Sequence, residues 1–283
     1  MTTIAPAAPP IAAGHPGTAR PVGRLRRHAW LLVLIIGAAL FAGVERTMVG
    51  THNPNYVPTA VLLGAAVVPA AFVAFINGRR MPYSVPIGLV AGAAFFGGIL
   101  GVIVAGWLEY DTVRHLGATP TLGIGLIEEA SKLIAPLALL PLLRNRTRAD
   151  GLLLGVACGA GFAALETMGY AFVTMLGTGG NVNATVDILV LRGALSPACH
   201  MAWTGIAAAA LYAAAESGWR LRSVLTFGVA FGAAVLLHAL WDGIGSTPVH
   251  AVLAAVSLGL LWRTAHRTLR HAPRPHRAAS TAP

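Results

Sequence analysis

Long apolar runs recur along this chain, and they limit its fold more than any other feature. The stretch VPIGLVAGAAFFGGILGVIVAGWL, residues 85–108, contains no ionisable side chain. Comparable runs occupy 29–44, 57–76, 121–143, 151–172, 188–213, 223–244 and 248–262. A helix rises about 1.5 Å per residue, so most of these runs can cross a hydrocarbon layer of about 30 Å. No water is available there, and backbone groups must be satisfied within the segment itself. Runs of this length meet that demand as helices. The expected fold is therefore all-α, a polytopic transmembrane helical bundle of about eight spans. Only 11% of the residues are charged while 56% are apolar, and no soluble domain of useful size fits between the spans.

The loops test this map independently. With the N-terminus in the cytoplasm, the segments on that side hold sixteen of the twenty Lys and Arg residues, whereas the opposite loops hold Arg46 and Arg114. That bias is what positive-inside sorting produces for eight spans with both termini cytoplasmic. Residues 1–28 are Ala/Pro-rich with a basic end, residues 263–283 are basic and Pro-rich, and both read as disordered cytoplasmic tails. The net charge of +10 follows from the sorting. It favours anionic lipid headgroups as partners. Nucleic acid is not an expected partner, because no aromatic residues interleave with the basic ones. Cys158 and Cys199 fall inside spans and read as small packing residues.

The ionisable residues are unevenly spread. Spans 1 to 3 (residues 29–120) carry almost none in their interiors, and span 8 (248–262) carries no acid. Spans 4 to 7 (121–247) carry Glu128, Glu129, Lys132, Glu166, Arg192, His200, His238 and Asp242. A charge near the middle of a span costs about 2.5–3.5 kcal/mol, and a Leu or Ile returns only about 0.3–0.6. The eleven Leu and Ile residues of span 4 do not comfortably carry its three charges. Partners must neutralise them, and such residues usually mark function. Glu128 and Lys132 can pair along the helix, which leaves Glu129 unexplained. Pro136 removes the backbone donor from the Lys132 carbonyl and predicts a kink.

Depth connects these residues. Span 4 enters from outside, so Glu128 and Glu129 lie about 10 Å below the outer edge. Span 5 brings Glu166 to a similar level, span 6 places His200 nearer the midplane, and span 7 puts His238 and Asp242 in the outer half. Four helices of alternating direction converge on one layer, which implies one shared polar site. In HALWD, His238–Asp242, the acid four residues on can hold the imidazole in one tautomer, as around metal-binding histidines. Two histidines and a glutamate with an open position form a catalytic zinc set. On this reading Glu166, His200 and His238 hold one divalent metal, zinc by preference, while Glu128 or Glu129 takes a proton from water. Lys132, Arg192 and Asp242 support them. Spacing alone does not separate the roles of the three glutamates. The rival from another class is a transporter that uses the same carboxylates for protons or cations. No inverted repeat supports it.

The motifs also carry a resemblance. EEASK (Glu128–Lys132) fits EExxK, FAALE (Phe162–Glu166) fits FxxxE, and HALWD fits HxxxD. With RGALSPACHMAWT (Arg192–Thr204) between them, this order resembles the PrsW family of intramembrane proteases. The resemblance covers about residues 120–245. It implies proteolysis of a membrane-anchored protein, with anti-sigma factors as a known type of substrate, in a bacterial cell membrane. Related CAAX-processing proteases typically show EExxxR and FxxxH. Here the lysine comes one residue early and Glu166 stands in place of that histidine, so a CAAX-type activity is disfavoured and a metal-free, glutamate-based hydrolysis stays open.

Overall fold

The computed structural model describes residues 23–117 and 120–270. The outer parts of the two expected tails, 1–22 and 271–283, lie outside the described residues. Among the described residues ten α-helices follow one another: α1 Arg24–Thr51, α2 Val57–Asn77, α3 Ile87–Gly92, α4 Gly98–Leu116, α5 Thr121–Leu139, α6 Arg148–Gly177, α7 Val182–Leu195, α8 His200–Glu216, α9 Leu221–Gly243 and α10 Thr247–Arg270. There is no strand among the described residues. Seven segments among the described residues are long and apolar enough to cross a membrane: Arg24–Thr51, Pro54–Asn77, Ile87–Leu116, Arg148–Gly177, Val182–Glu216, Leu221–Gly243 and Thr247–Arg270. The protein is thus an integral, multi-pass, all-α membrane protein. The remaining expected span is α5, whose three charged residues are turned inward and buried.

Helix edges differ from the expected ones. The first span begins at Arg24 and the last runs on to Arg270, each past its apolar run. Arginines there can lay their stems along the helix while the guanidinium reaches the interface. The helix α5 continues through Pro136 to Leu139, with the Tyr212 hydroxyl donating to the Pro136 carbonyl at 2.9 Å.

Two spans are interrupted where they meet the centre of the bundle. A single π-helical turn, Ala93–Gly97, separates α3 from α4. Its loosened backbone packs against α6. The Cys158 thiol donates to the Ala93 carbonyl at 3.3 Å, and a Cβ on Gly161 would overlap the Ala94 carbonyl. The other break divides α7 from α8. Pro197 stands in the one-turn 3₁₀ segment Ser196–Ala198, and Cys199 leaves helical geometry with φ −112° and ψ −116°. Ser196, Ala198 and Cys199 are all buried, so this irregular backbone is shielded from lipid. His200 is consequently the first residue of a half-helix.

The core is the contact between α6 and α8. Gly151, Gly155 and Gly159 form a stripe along α6, and a Cβ on any of them would sit 2.5 Å from an α8 carbonyl (Ala208, Thr204 and His200 respectively). Small residues four apart let the two backbones touch. Around this pair, α2, α4 and α5 pack on α6, while α9 and α10 pack on α8. At the start of α6, next to Gly151, Asp150 fastens the chain. Its carboxylate accepts from the Ser84 amide (2.6 Å), the Ser84 hydroxyl (2.7 Å), the Val85 amide (3.1 Å) and the Thr147 hydroxyl (2.7 Å). Thr147 and Asp150 also form a capping box at the helix start.

Candidate active site

The helix α5 contributes Glu128, Glu129 and Lys132, whose three- and four-residue spacing puts them on one face. Lys132 is fully buried. Its ammonium donates to Glu128 Oε2 at 3.0 Å and Glu129 Oε1 at 2.8 Å, and it meets His200 Nδ1 at 2.8 Å. Three N–H bonds therefore have three partners. The Phe162 ring, 4.1 Å from Nζ, covers the remaining side. Lys132 serves both glutamates, which answers why two acids stand there.

Glu129 has no exposed surface, and both its oxygens are engaged. Oε1 also meets His238 Nδ1 at 2.9 Å, and Oε2 accepts from the Thr204 hydroxyl at 3.4 Å. With Nδ1 tied to a carboxylate, the other imidazole nitrogen of His238 is left to face the site. That Nε2 lies 3.4 Å from Glu128 Oε2 and 3.2 Å from Asp242 Oδ2. The indole of Trp203 stacks on the imidazole with centroids 4.9 Å apart. Its N–H donates to Ser257 Oγ of α10 at 2.9 Å, which fixes the ring.

The third arm runs outward through α6 and α7. His200 Nε2 approaches Glu166 Oε2 at 2.8 Å, and Arg192 Nη2 approaches the same oxygen at 3.0 Å. Two nitrogens thus crowd one buried carboxylate oxygen. The Arg192 guanidinium also lies over the Tyr170 ring at 3.9 Å. All eight residues expected from the sequence thus join one chain of contacts: Asp242, His238, Glu129, Lys132, His200, Glu166 and Arg192 in turn, with Glu128 bridging Lys132 and His238. Four carboxylates face only two permanent cations within this network. The deficit of two positive charges suits a divalent ion or added protons.

One point in the network gathers metal-type donors. Ligand atoms of Glu128, His200 and His238 all lie within 4.8 Å of one another. Zinc bonds of about 2.0–2.1 Å set tetrahedral ligand atoms about 3.3–3.4 Å apart. The 3.4 Å from His238 Nε2 to Glu128 Oε2 matches that edge, and two imidazoles with a carboxylate are the donor types of a zinc site. The sequence reading had grouped Glu166 with the two histidines; the structure keeps Glu166 beside His200 and groups Glu128 with them.

Sequence reasoning missed Glu109. It lies on α4, close enough to act electrostatically on Glu128, Glu166, His238 and Lys132. Ending span 3 at Leu108 had assigned it to a loop, whereas the helix continues to Leu116. Trp203 also shapes the site through its stack on His238.

The family model for PrsW family intramembrane metalloproteases matches residues 85–264. The chain belongs to this family. No curated protein and no solved structure matches it. The PrsW match reaches further than the four motifs: it takes in α3 and α4 with Glu109, and most of α10 with Ser257. Membership makes the chain one of a family of membrane-embedded proteases, and the transporter reading gains no support.

Proposed function

We propose that this PrsW family member hydrolyses peptide bonds of membrane-anchored proteins, of the anti-sigma-factor kind, at the network in the outer half of the bundle, in a bacterial cell membrane. The observation that carries the reading is the convergence of Glu128, His200 and His238, with Glu129 holding His238 from behind. Hydrolysis needs a held water, a base for its proton and a donor to the leaving amine. His200, His238 and Glu128 would hold a divalent metal, zinc by preference. Bound there, such an ion would lower the pKa of water to about 7. Glu129, buried with both oxygens occupied, acts as a positioning residue that fixes the His238 tautomer. Glu166, the carboxylate beside His200, would accept the water proton and return it to the amine. This exchanges the roles that the sequence suggested for Glu128 and Glu166.

The Lys132–His200 contact favours a second reading. An ammonium donating to Nδ1 leaves the neutral His200 with its proton on Nε2, turned to Glu166. That ring then has no lone pair for a metal, and Glu128 acts as the base in metal-free hydrolysis. Metal analysis of the detergent-purified protein separates the two. The first reading gives about one zinc per chain, lost in a folded His200→Ala/His238→Ala variant and retained in Glu166→Gln. Absence of metal from active wild-type protein contradicts it and leaves Glu128 as base.

A further inference from the structure

The hydrolytic roles involve His238 and Asp242 but not what holds the helix end that carries them. Asp242 is the last residue but one of α9, which stops at Gly243. Helix ends fray, because their last carbonyls have no amide ahead of them. On the α5 side this end of α9 is closely packed. A Cβ on Gly125 would lie 2.9 Å from the Val235 carbonyl oxygen and 3.4 Å from His238 Cβ, and one on Gly243 would lie 3.4 Å from Thr121 Oγ1. From another side, a side chain of α10 reaches it.

That side chain is His250, in the first turn of α10. Its Nε2 lies 2.8 Å from the Trp241 carbonyl oxygen. In a longer helix this carbonyl would take the amide of Gly245, which lies beyond the end of α9. A carbonyl only accepts, so Nε2 carries the proton in the neutral and the charged imidazole alike. The His250 ring also stacks on the Trp241 indole, with centroids 4.5 Å and planes 24° apart. Its own amide donates to the Ser246 carbonyl at 2.9 Å, which ties the start of α10 to the turn after α9. Two turns further along α10, Ser257 Oγ accepts from the Trp203 indole that stacks on His238. The same helix therefore approaches the site imidazole twice, through Trp203 and through the end of α9.

We propose that His250 is a positioning residue for hydrolysis: by capping the Trp241 carbonyl it holds the last turn of α9, so that His238 Nε2 stays 3.2 Å from Asp242 Oδ2 and 3.4 Å from Glu128 Oε2. It acts through the backbone next to Asp242 and touches none of the hydrolytic side chains. The N–H is the part that caps, and the ring stack aligns it. This inference rests on the protease reading above.

Two variants separate donor from ring. His250→Phe keeps an aromatic face for Trp241 and loses the N–H, whereas His250→Gln keeps an N–H at similar reach and loses the ring. Two readouts follow each variant: hydrogen exchange of the amides of Leu240–Ile244 in the detergent-purified protein, and kcat and KM for a single-span reporter in proteoliposomes. His250→Phe exchanges these amides about 5-fold faster, as loss of one hydrogen bond predicts. It lowers kcat about 10-fold with KM kept. His250→Gln stays close to wild type in both. A His250→Phe protein with wild-type exchange and kcat overturns the proposal, as does an equal loss in the Gln variant. Faster exchange with kcat unchanged also overturns it, since the cap would then serve stability alone, and a raised KM with kcat kept would mark a substrate contact instead. Unfolding in SDS checks that each variant is folded. If wild type cleaves no reporter, the protease reading falls and the catalytic purpose of the contact with it; an active His250→Phe protein with unchanged exchange removes this inference alone.

Discussion

Gly159→Ala is a one-methyl test of how the fold holds the site. The new Cβ would lie 2.5 Å from the His200 carbonyl oxygen and 2.9 Å from Met201 Cα. Both obstacles are backbone, so no side chain can swing aside. Reaching the 3.4 Å at which ordinary contact begins requires α6 and α8 to separate by about 0.9 Å. A shift of that size along the 2.8 Å contacts of His200 with Lys132 or Glu166 would stretch one of them to about 3.7 Å, beyond hydrogen-bond range. Overpacking of a tight contact costs about 1–3 kcal/mol, and an immovable neighbour favours the upper end. A misplacement of about 1 Å at a reacting group lowers the rate about 100-fold. Reversible unfolding in SDS measures the first effect, and cleavage of a single-span reporter in proteoliposomes measures the second. Gly169→Ala is the control, since it lies on the same helix with nothing within 4 Å of its Cβ. Gly151→Ala clashes as severely but further from His200, so it should lose stability with a smaller loss of rate. A Gly159→Ala protein as stable and active as wild type would refute the reasoning, and so would an equal loss in Gly169→Ala.

Lys132→Met leaves two buried carboxylates without their shared cation and should destabilise by about 3–5 kcal/mol. Adding Glu129→Gln should recover part of that loss, and strictly additive effects in SDS unfolding would argue against the coupling. Asp150→Ala removes the acid's half of the α6 capping box and strands the amides of Ser84 and Val85, at about 2–4 kcal/mol, while Asp150→Asn costs less because it keeps an acceptor. Equal costs for the two would show that the acceptor is irrelevant. For topology, Cys158 and Cys199 are buried and should not react, so introduced cysteines report alone. Thr178→Cys should label with an impermeant maleimide on intact cells and Asn145→Cys only after permeabilisation; the reverse pattern would invert the bundle.

The helices and the clustering of the polar side chains were legible in the sequence, each for a physical reason. Apolar runs must become helices in lipid, and charges inside such runs must find one another. Depth, counted along helices of alternating direction, was enough to bring Asp242, His238, Glu128, Glu129, Lys132, His200, Glu166 and Arg192 together. Roles within the cluster depend on rotation about each helix axis and on side-chain rotamers, neither of which spacing fixes. Glu128 could therefore change places with Glu166. Hydropathy also ends a span where polar residues begin, although a helix continues as long as its backbone is satisfied. That is how Glu109 was left in a loop, and how Arg24–His28 and Arg263–Arg270 were read as tail. The break at Cys199 is a buried departure from helical geometry between α7 and α8, and Pro197 signals it only as a kink.

The most direct test of the central claim is mass spectrometry of a single-span reporter after incubation in proteoliposomes with wild type or with Glu128→Gln. The account predicts paired fragments from one cut in the outer half of the span with wild type, and intact reporter with a folded Glu128→Gln protein. Equal cleavage by both proteins, or a cut outside the bilayer, would contradict it.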